Sequence, residues 1–272
     1  MLRIGQIEYA NCTPLYHLLK EQFDCSEYEF ISGVPAALNT LLAAGKIDVC
    51  PSSSFEYAIH SERYRILPQL SISSNGAVAS VLLFSRVPIE DLHGQTIQLS
   101  SESATSVNLL KILMARRYGC HCDYAINSST ISEALESSPA LLLIGDAALR
   151  ASLMENGLLV YDLGSLWRDW TGLPFVFALF LCRREVGDDP RLAELSRRLI
   201  QAKEMAPLHH ERLIRYAREA AWMPRMNLLE YWRSNISYEL EEDGIKGLTS
   251  FFGQCYELGL ISSLPALNFT EI

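Results

Sequence analysis

Residues 171–184, TGLPFVFALFLCRR, constrain the fold more than any other stretch of the chain. The run opens like a tight turn, continues through eight mostly apolar residues and closes on two arginines. Crossing a bilayer as a helix takes about 20 apolar residues, so the run belongs inside a protein core, as a fully buried strand or part of a buried helix. Gly172 and Pro174 at its start, with Val176 and the phenylalanines within it, favour the strand. Where that strand runs decides the architecture.

Upstream, strand patterns and helix patterns alternate. LRIGQIEYA alternates apolar and polar residues as a strand, and Pro14 then opens PLYHLLKEQF with leucines at helical spacing. The unit returns as the strand YEFISG, the helix VPAALNTLLAAGK, and the strand IDVCPSS leading into SSFEYAIHS. AVASVLLFSR reads as a long strand. The pattern restarts with the strand TIQLSS, the helix VNLLKILMARRYG, the strand ALLLIGD and the helix AALRASLMENG. Strands separated by helices imply mostly parallel sheets. From Arg191 to Trp222, and again from Met226 to Ser263, Leu and Ala spacing predicts helices; the acids at 241–243 read as a solvated helix end before a turn bounded by glycine.

With SVLLFSR leading out of a first α/β unit and FVFALFLCRR leading back, the two strands are expected side by side as a double-strand hinge. The expected lobes are residues 1–86 plus 178–272, with the C-terminal helices, and residues 87–177. This α/β, two-lobed layout is that of type II periplasmic binding proteins, which close on ligands held between their lobes.

The formal net charge of −9 argues against nucleic acid as the partner, since that binding draws on Lys and Arg gathered on one face. Seven cysteines without framework spacing suit a reducing compartment. The opening MLRIGQIEYAN runs straight into a strand pattern, so a cytoplasmic location is expected, with no membrane attachment. Cys120-His121-Cys122 has no second ligand pair and reads as a surface turn, so no metal is expected.

In open α/β sheets a ligand lies beyond the carboxyl ends of the strands, where helix N-termini offer free N–H groups. The loops there are NCTP, PSSS, SSNGAVAS, SSESATS, IGDAA and DWTGLP, rich in hydroxyls and amides and nearly free of charge. They nominate Ser52, Ser53, Ser54, Gly76, Ser103, Ala104, Thr105, Ser106, Gly145, Asp146 and Thr171 as binding residues. Each serine is by itself a plausible helix cap. Their accumulation in both lobes points to a small carboxylate between them.

NCTPL, PSSSFEYA, SVLLFS, SATSVNLL, IGDAAL and WRDWTGLPFVFA, in this order and spacing, resemble the chorismate dehydratases of the futalosine route to menaquinone. The resemblance runs from residue 2 to about 184 and more loosely beyond. It implies the conversion of chorismate, a small dicarboxylate, to 3-[(1-carboxyvinyl)oxy]benzoate and water, without cofactor or metal. By the family's pattern Asn11 and Ser80 are the catalytic residues. Asn11 is a neutral amide and cannot be a base near pH 7. None of the six histidines falls in a strand-end loop, which leaves Asp146 or the substrate's own enolpyruvyl carboxylate to take the ring proton. Two other functions fit the scaffold: a non-catalytic small-carboxylate binding or sensing protein, and a relative of the dihydroxynaphthoate synthase, in which a histidine base is expected. Oligomeric state is left open.

Overall fold

The computed structural model describes residues 1–127, 130–155 and 157–271. Asn156, within the expected helix AALRASLMENG, lies outside them. The first sheet takes β1 (Leu2–Ile7), β2 (Tyr28–Gly33), β3 (Val49–Ser53), β4 (Tyr64–Ser74) and, from far along the chain, β10 (Phe175–Arg183). Its order is β2-β1-β3-β10-β4. The second holds β5 (Val81–Ser85), β6 (Thr96–Ser100), β7 (Asp123–Asn127), β8 (Ala140–Ile144) and β9 (Leu159–Asp162), in the order β7-β6-β8-β5-β9. The two sheets repeat one plan, in which three parallel strands are followed by an antiparallel fourth.

That fourth strand is β10 in one sheet and β5 in the other, so the expected pairing of these two as a double-strand hinge is not what the chain does. β5 pairs with β8 and β9, and β10 with β3 and β4. Every residue of β5 and of Phe175–Cys182 is buried. Strands apolar on both faces need cover on both, which an internal sheet position supplies and a connecting ribbon does not. Sheet membership therefore puts residues 81–85 with the second sheet and 175–177 with the first. The crossings are the short segments 75–80, which follows the edge strand β4, and 172–174, which precedes β10.

Both crossings are tightly held. Asp162 caps α7 (Leu163–Thr171) by accepting from Ser165 N at 2.9 Å, and it also accepts from Val78 N at 3.1 Å and Ala79 N at 2.6 Å. Ala79 sits at φ +58°, a conformation that L side chains avoid and that this clamp secures. At the second crossing Gly172 ends α7 in the left-handed region, and α10 (Glu242–Glu257) presses on the segment: a Cβ on Gly247 would lie 2.1 Å from the Pro174 carbonyl oxygen. The acids at 242 and 243 thus begin a helix where a helix end was expected, a placement the positive end of the helix dipole favours.

The remaining helices are α1 (Thr13–Gln22), α2 (Pro35–Ala43), α3 (Ser54–His60), α4 (Ala104–Ile112), α5 (Ile131–Ser137), α6 (Gly145–Ser152), α8 (Pro190–Leu213) and α9 (Arg225–Glu230). One apolar core runs through both lobes, and a smaller cluster around Phe84 and Leu143 backs the second sheet. Trp167, Phe175 and Phe251 meet edge to face, Phe175 standing 5.2 Å from Trp167 and 5.0 Å from Phe251, so that α7, β10 and α10 lock at one point. Among the described residues no helix is long and apolar enough to cross a membrane, and no group of three or more His, Cys, Asp or Glu is placed to hold a metal ion.

Candidate active site

Loops that follow the parallel strands β1, β2, β3, β6 and β8 contribute to the lining of one cavity. It measures about 60 Å³, or about 560 Å³ of unfilled space with its open mouth included. Asn11 follows β1, Pro35 follows β2, Ser53 ends β3, Ser103 and Ser106 follow β6, and Gly145 follows β8. These positions stand at or beside the first residues of α1, α2, α3, α4 and α6. Helix N-termini carry partial positive charge and free N–H groups, so a cavity ringed by them favours an anion. Among the described residues no acid, lysine, arginine or histidine lines it. The rest of the wall is apolar, with Ile72, Val78, Ile144, Phe177 and Ile236 prominent.

Asn11 and Ser80 both face this space. The loop carrying Asn11 is held by its backbone: Tyr238 Oη donates to Asn11 O at 2.7 Å and Trp232 Nε1 to Ala10 O at 2.8 Å. The side-chain oxygen Oδ1 of Asn11 is buried and has no hydrogen-bond partner. A buried acceptor without a donor is uncommon and costly, and here it belongs to a residue that lines the cavity. Ser80 is 3% exposed, and its Oγ accepts from Tyr231 Oη at 2.9 Å.

The other nominated residues divide in two. Ser53, Ser103, Ser106 and Gly145 line the cavity. Ser54 and Thr105 stand behind its wall in a buried chain that ties the lobes together: Thr105 Oγ1 donates to Ser53 Oγ at 2.9 Å and accepts from Phe55 N at 3.0 Å, while Ser54 Oγ donates to Val176 O at 2.8 Å. Ser52 meets Cys50 Sγ at 3.1 Å in the core. Gly76 shapes the first crossing, where its carbonyl accepts from Ser74 Oγ at 2.9 Å. Thr171 closes α7, donating to Trp167 O at 2.9 Å and accepting from Leu173 N at 3.1 Å, and Ala104 is exposed at the start of α4.

Asp146 does not line the cavity either. Its Oδ1 accepts from Ala10 N at 3.0 Å, across the gap between the lobes. Burial pushes its carboxyl up to about 6, with the Ala10 amide opposing the rise and the nearby Glu219 carboxylate adding to it. A second tie crosses beside it, from Tyr9 Oη to Glu102 Oε2 at 2.8 Å, and burial together with that carboxylate holds the Tyr9 hydroxyl far above its usual range, a neutral donor. Gly145, at φ +57°, leaves room for the Tyr9 ring, whose Cε2 would stand 2.8 Å from a Cβ there.

Sequence reasoning passed over Tyr9, Pro35, Phe177 and Ile236 in the lining. Pro35 was within reach, since the rule that picks loops after strands selects the turn before α2 as well. Ile236, with Tyr231, Trp232 and Tyr238, comes from a segment after α9 that no strand-end rule selects.

The arrangement is that of a small anion site with fixed neutral donors and acceptors. Residues 2–257 match the family described as menaquinone biosynthesis. A chorismate dehydratase from Thermus thermophilus is 32% identical over 263 residues, which cover 91% of this chain and 93% of that protein. Protein AF1704 from Archaeoglobus fulgidus superposes with a TM-score of 0.79 at 19% identity, over 96% of this chain and 98% of that one. The periplasmic aliphatic sulphonate binding protein SsuA from Escherichia coli gives 0.70 at 16% identity, over 100% and 94%. These two likenesses show a periplasmic-binding-protein-like fold, with helices appended at the C-terminus. On the family match and on the identity to the Thermus protein, the chain belongs to the menaquinone biosynthesis family.

Proposed function

We propose that the chain is a chorismate dehydratase, a hydro-lyase that converts chorismate to 3-[(1-carboxyvinyl)oxy]benzoate and water, as the name of its Thermus relative suggests. The observation that carries the reading is that Asn11, whose buried Oδ1 has no partner among the described residues, and Ser80 line one cavity to which no described residue contributes a charged side chain. Chorismate at neutral pH bears two carboxylates and one hydroxyl, so it offers a single hydrogen-bond donor. That donor supplies what Asn11 lacks, and the converging helix N-termini suit the carboxylates.

The chemistry asks little of the protein beyond placement. A base takes the ring hydrogen as a proton, the C–H pair becomes a ring double bond, and the C–O bond breaks with its pair on oxygen. The departing hydroxide takes up the proton that the base received and leaves as water, so the base is restored. An aromatic ring results, which supplies much of the driving force. Ser80 and Asn11 orient the hydroxyl, and preorganised dipoles stabilise the charge that develops as it departs. The substrate's own enolpyruvyl carboxylate serves as the base. This choice is supported by the absence, among the described residues, of any ionisable side chain other than Tyr9 from the lining and by the engagement of Asp146 with Ala10 N.

On this reading the enzyme works in the cytoplasm, on the futalosine route to menaquinone, without a cofactor. The two sheet-bearing units act as lobes that open and close on the substrate. Purified protein incubated with chorismate, with products resolved by mass, tests the proposal. Appearance of a product lighter by one water and carrying a benzenoid absorbance supports it. Unchanged chorismate, bound or unbound, would leave a non-catalytic binding protein in its place.

A further inference from the structure

Among the described residues the hydroxyl of Ser80 has two hydrogen-bond partners. Tyr231 Oη donates to Ser80 Oγ at 2.9 Å, and Ser80 Oγ donates to the Val78 carbonyl at the longer distance of 3.3 Å. A tyrosine hydroxyl has one proton to give, and here it goes to Ser80. The serine proton is therefore turned away from Tyr231. It points either along the weak bond to Val78 or to an atom in the cavity that Ser80 lines. Tyr231 itself is 2% exposed, at the start of a π-helical turn formed by residues 231–235. Such turns are frequent at functional sites. The next residue, Trp232, holds Ala10 O, and Tyr238 holds Asn11 O. One short C-terminal segment thus grips the loops that carry Asn11 and Ser80.

We propose that Tyr231 is a positioning residue that fixes the Ser80 hydroxyl as a hydrogen-bond donor into the cavity, aimed at the oxygen that leaves the substrate. Tyr231 makes no contact with the substrate. It removes the alternative in which Ser80 donates to the Tyr231 oxygen, and leaves the substrate oxygen to compete only with the long bond to Val78 O at 3.3 Å. Ser80 then donates to the substrate hydroxyl oxygen while Asn11 Oδ1 accepts the hydroxyl proton. The pair addresses a group that the substrate has and the aromatic product lacks.

The proposal rests on the chorismate reading, and its test keeps the two apart. Tyr231→Phe removes one oxygen and keeps the ring that fills the core. Turnover of chorismate is measured for the parent, Tyr231→Phe, Ser80→Ala and the double variant, together with the affinity of each for 3-[(1-carboxyvinyl)oxy]benzoate. Tyr231→Phe is expected to lower kcat by about five- to tenfold, the worth of one neutral hydrogen bond, with KM and product affinity changed less than about twofold. In the Ser80→Ala background the same substitution is expected to change kcat by less than about twofold, because there is no hydroxyl left to orient. Product affinity close to that of the parent also shows that the variants are folded. Equal losses in both backgrounds, a parental rate in Tyr231→Phe, or a matching loss of product affinity each overturns the role given to Tyr231. A parent that does not convert chorismate overturns the functional reading, and the positioning role with it.

Discussion

Asp146 Oδ1 accepts the Ala10 amide proton at 3.0 Å, so a carboxylate in the second lobe holds the loop that carries Asn11 in the first. The bond needs an acceptor at this place, and a charge is not required. Asp146→Asn is therefore expected to keep turnover within about tenfold of the parent, far from the 10² to 10⁴ that loss of a positioned base costs. A fall of that larger size in a folded variant would make Asp146 the proton acceptor.

The same carboxylate leaves a mark on stability. Its pKa rises from 3.8 to about 6 on folding, chiefly through burial. Below pH 4 both states are protonated and the site costs nothing. Between pH 4 and 6 the unfolded chain releases its proton first, so stability falls with rising pH, and above 6 the loss is complete. Allowing for partial exposure, it amounts to on the order of 2 kcal/mol. Urea unfolding of the parent and of Asp146→Asn at pH 4 and pH 7 is expected to show the variant gaining on the parent as pH rises. A constant difference between the two proteins would remove Asp146 as the titrating group.

Gly145 is the one position in the lining where backbone and space both demand glycine. An alanine there would meet a φ of +57° and the Tyr9 ring at 2.8 Å. Gly145→Ala is expected to lower stability by about 1–2 kcal/mol through the left-handed backbone alone, and to raise KM by displacing Tyr9 from Glu102. Thermal unfolding with steady-state kinetics checks both. An unchanged KM would detach Tyr9 from substrate binding.

Closure about the crossings at 75–80 and 172–174 is the expected response to a ligand. Small-angle scattering with and without the product is expected to give a smaller radius of gyration for the complex of Tyr9→Phe, which lacks the tie to Glu102 at 2.8 Å. Identical profiles would mean that the ties that remain, Thr105 to Ser53 among them, already hold the lobes closed.

The alternation of strand and helix patterns was legible because each element is short, regular and punctuated by Pro or Gly. FVFALFLC was read as a buried strand and is one, whereas of AVASVLLFSR, read as a long strand, only Val81–Ser85 is strand and residues 77–80 belong to the crossing. Their partners were not legible, since pairing is decided by which sheet can cover two apolar faces, and that is a property of the assembled layers. β4 escaped notice because YRILPQLSISS mixes polar and apolar residues and bends at Gln69, φ +62°. For the site, the rule that ligands lie beyond strand ends nominated Ser53, Ser103, Ser106 and Gly145 and the family resemblance nominated Asn11 and Ser80, and all six line the one cavity. The rule also nominated Ser54 and Thr105, whose hydroxyls join the lobes; sequence cannot tell a hydroxyl facing a cavity from one facing another hydroxyl. Tyr231 lies 151 residues from Ser80, and no local pattern connects them.

The central claim is that neutral side chains placed around one cavity dehydrate chorismate, and turnover of chorismate by the parent and by Asn11→Ala tests it most directly. The loop is held through the backbone carbonyls of Ala10 and Asn11, so the variant is expected to fold as the parent does. Its rate is expected to fall by about 10² to 10³, on the order of 2.7–4 kcal/mol of barrier, as when one preorganised hydrogen-bonding group is removed from an active site. A folded Asn11→Ala protein that converts chorismate at the parental rate would contradict the account.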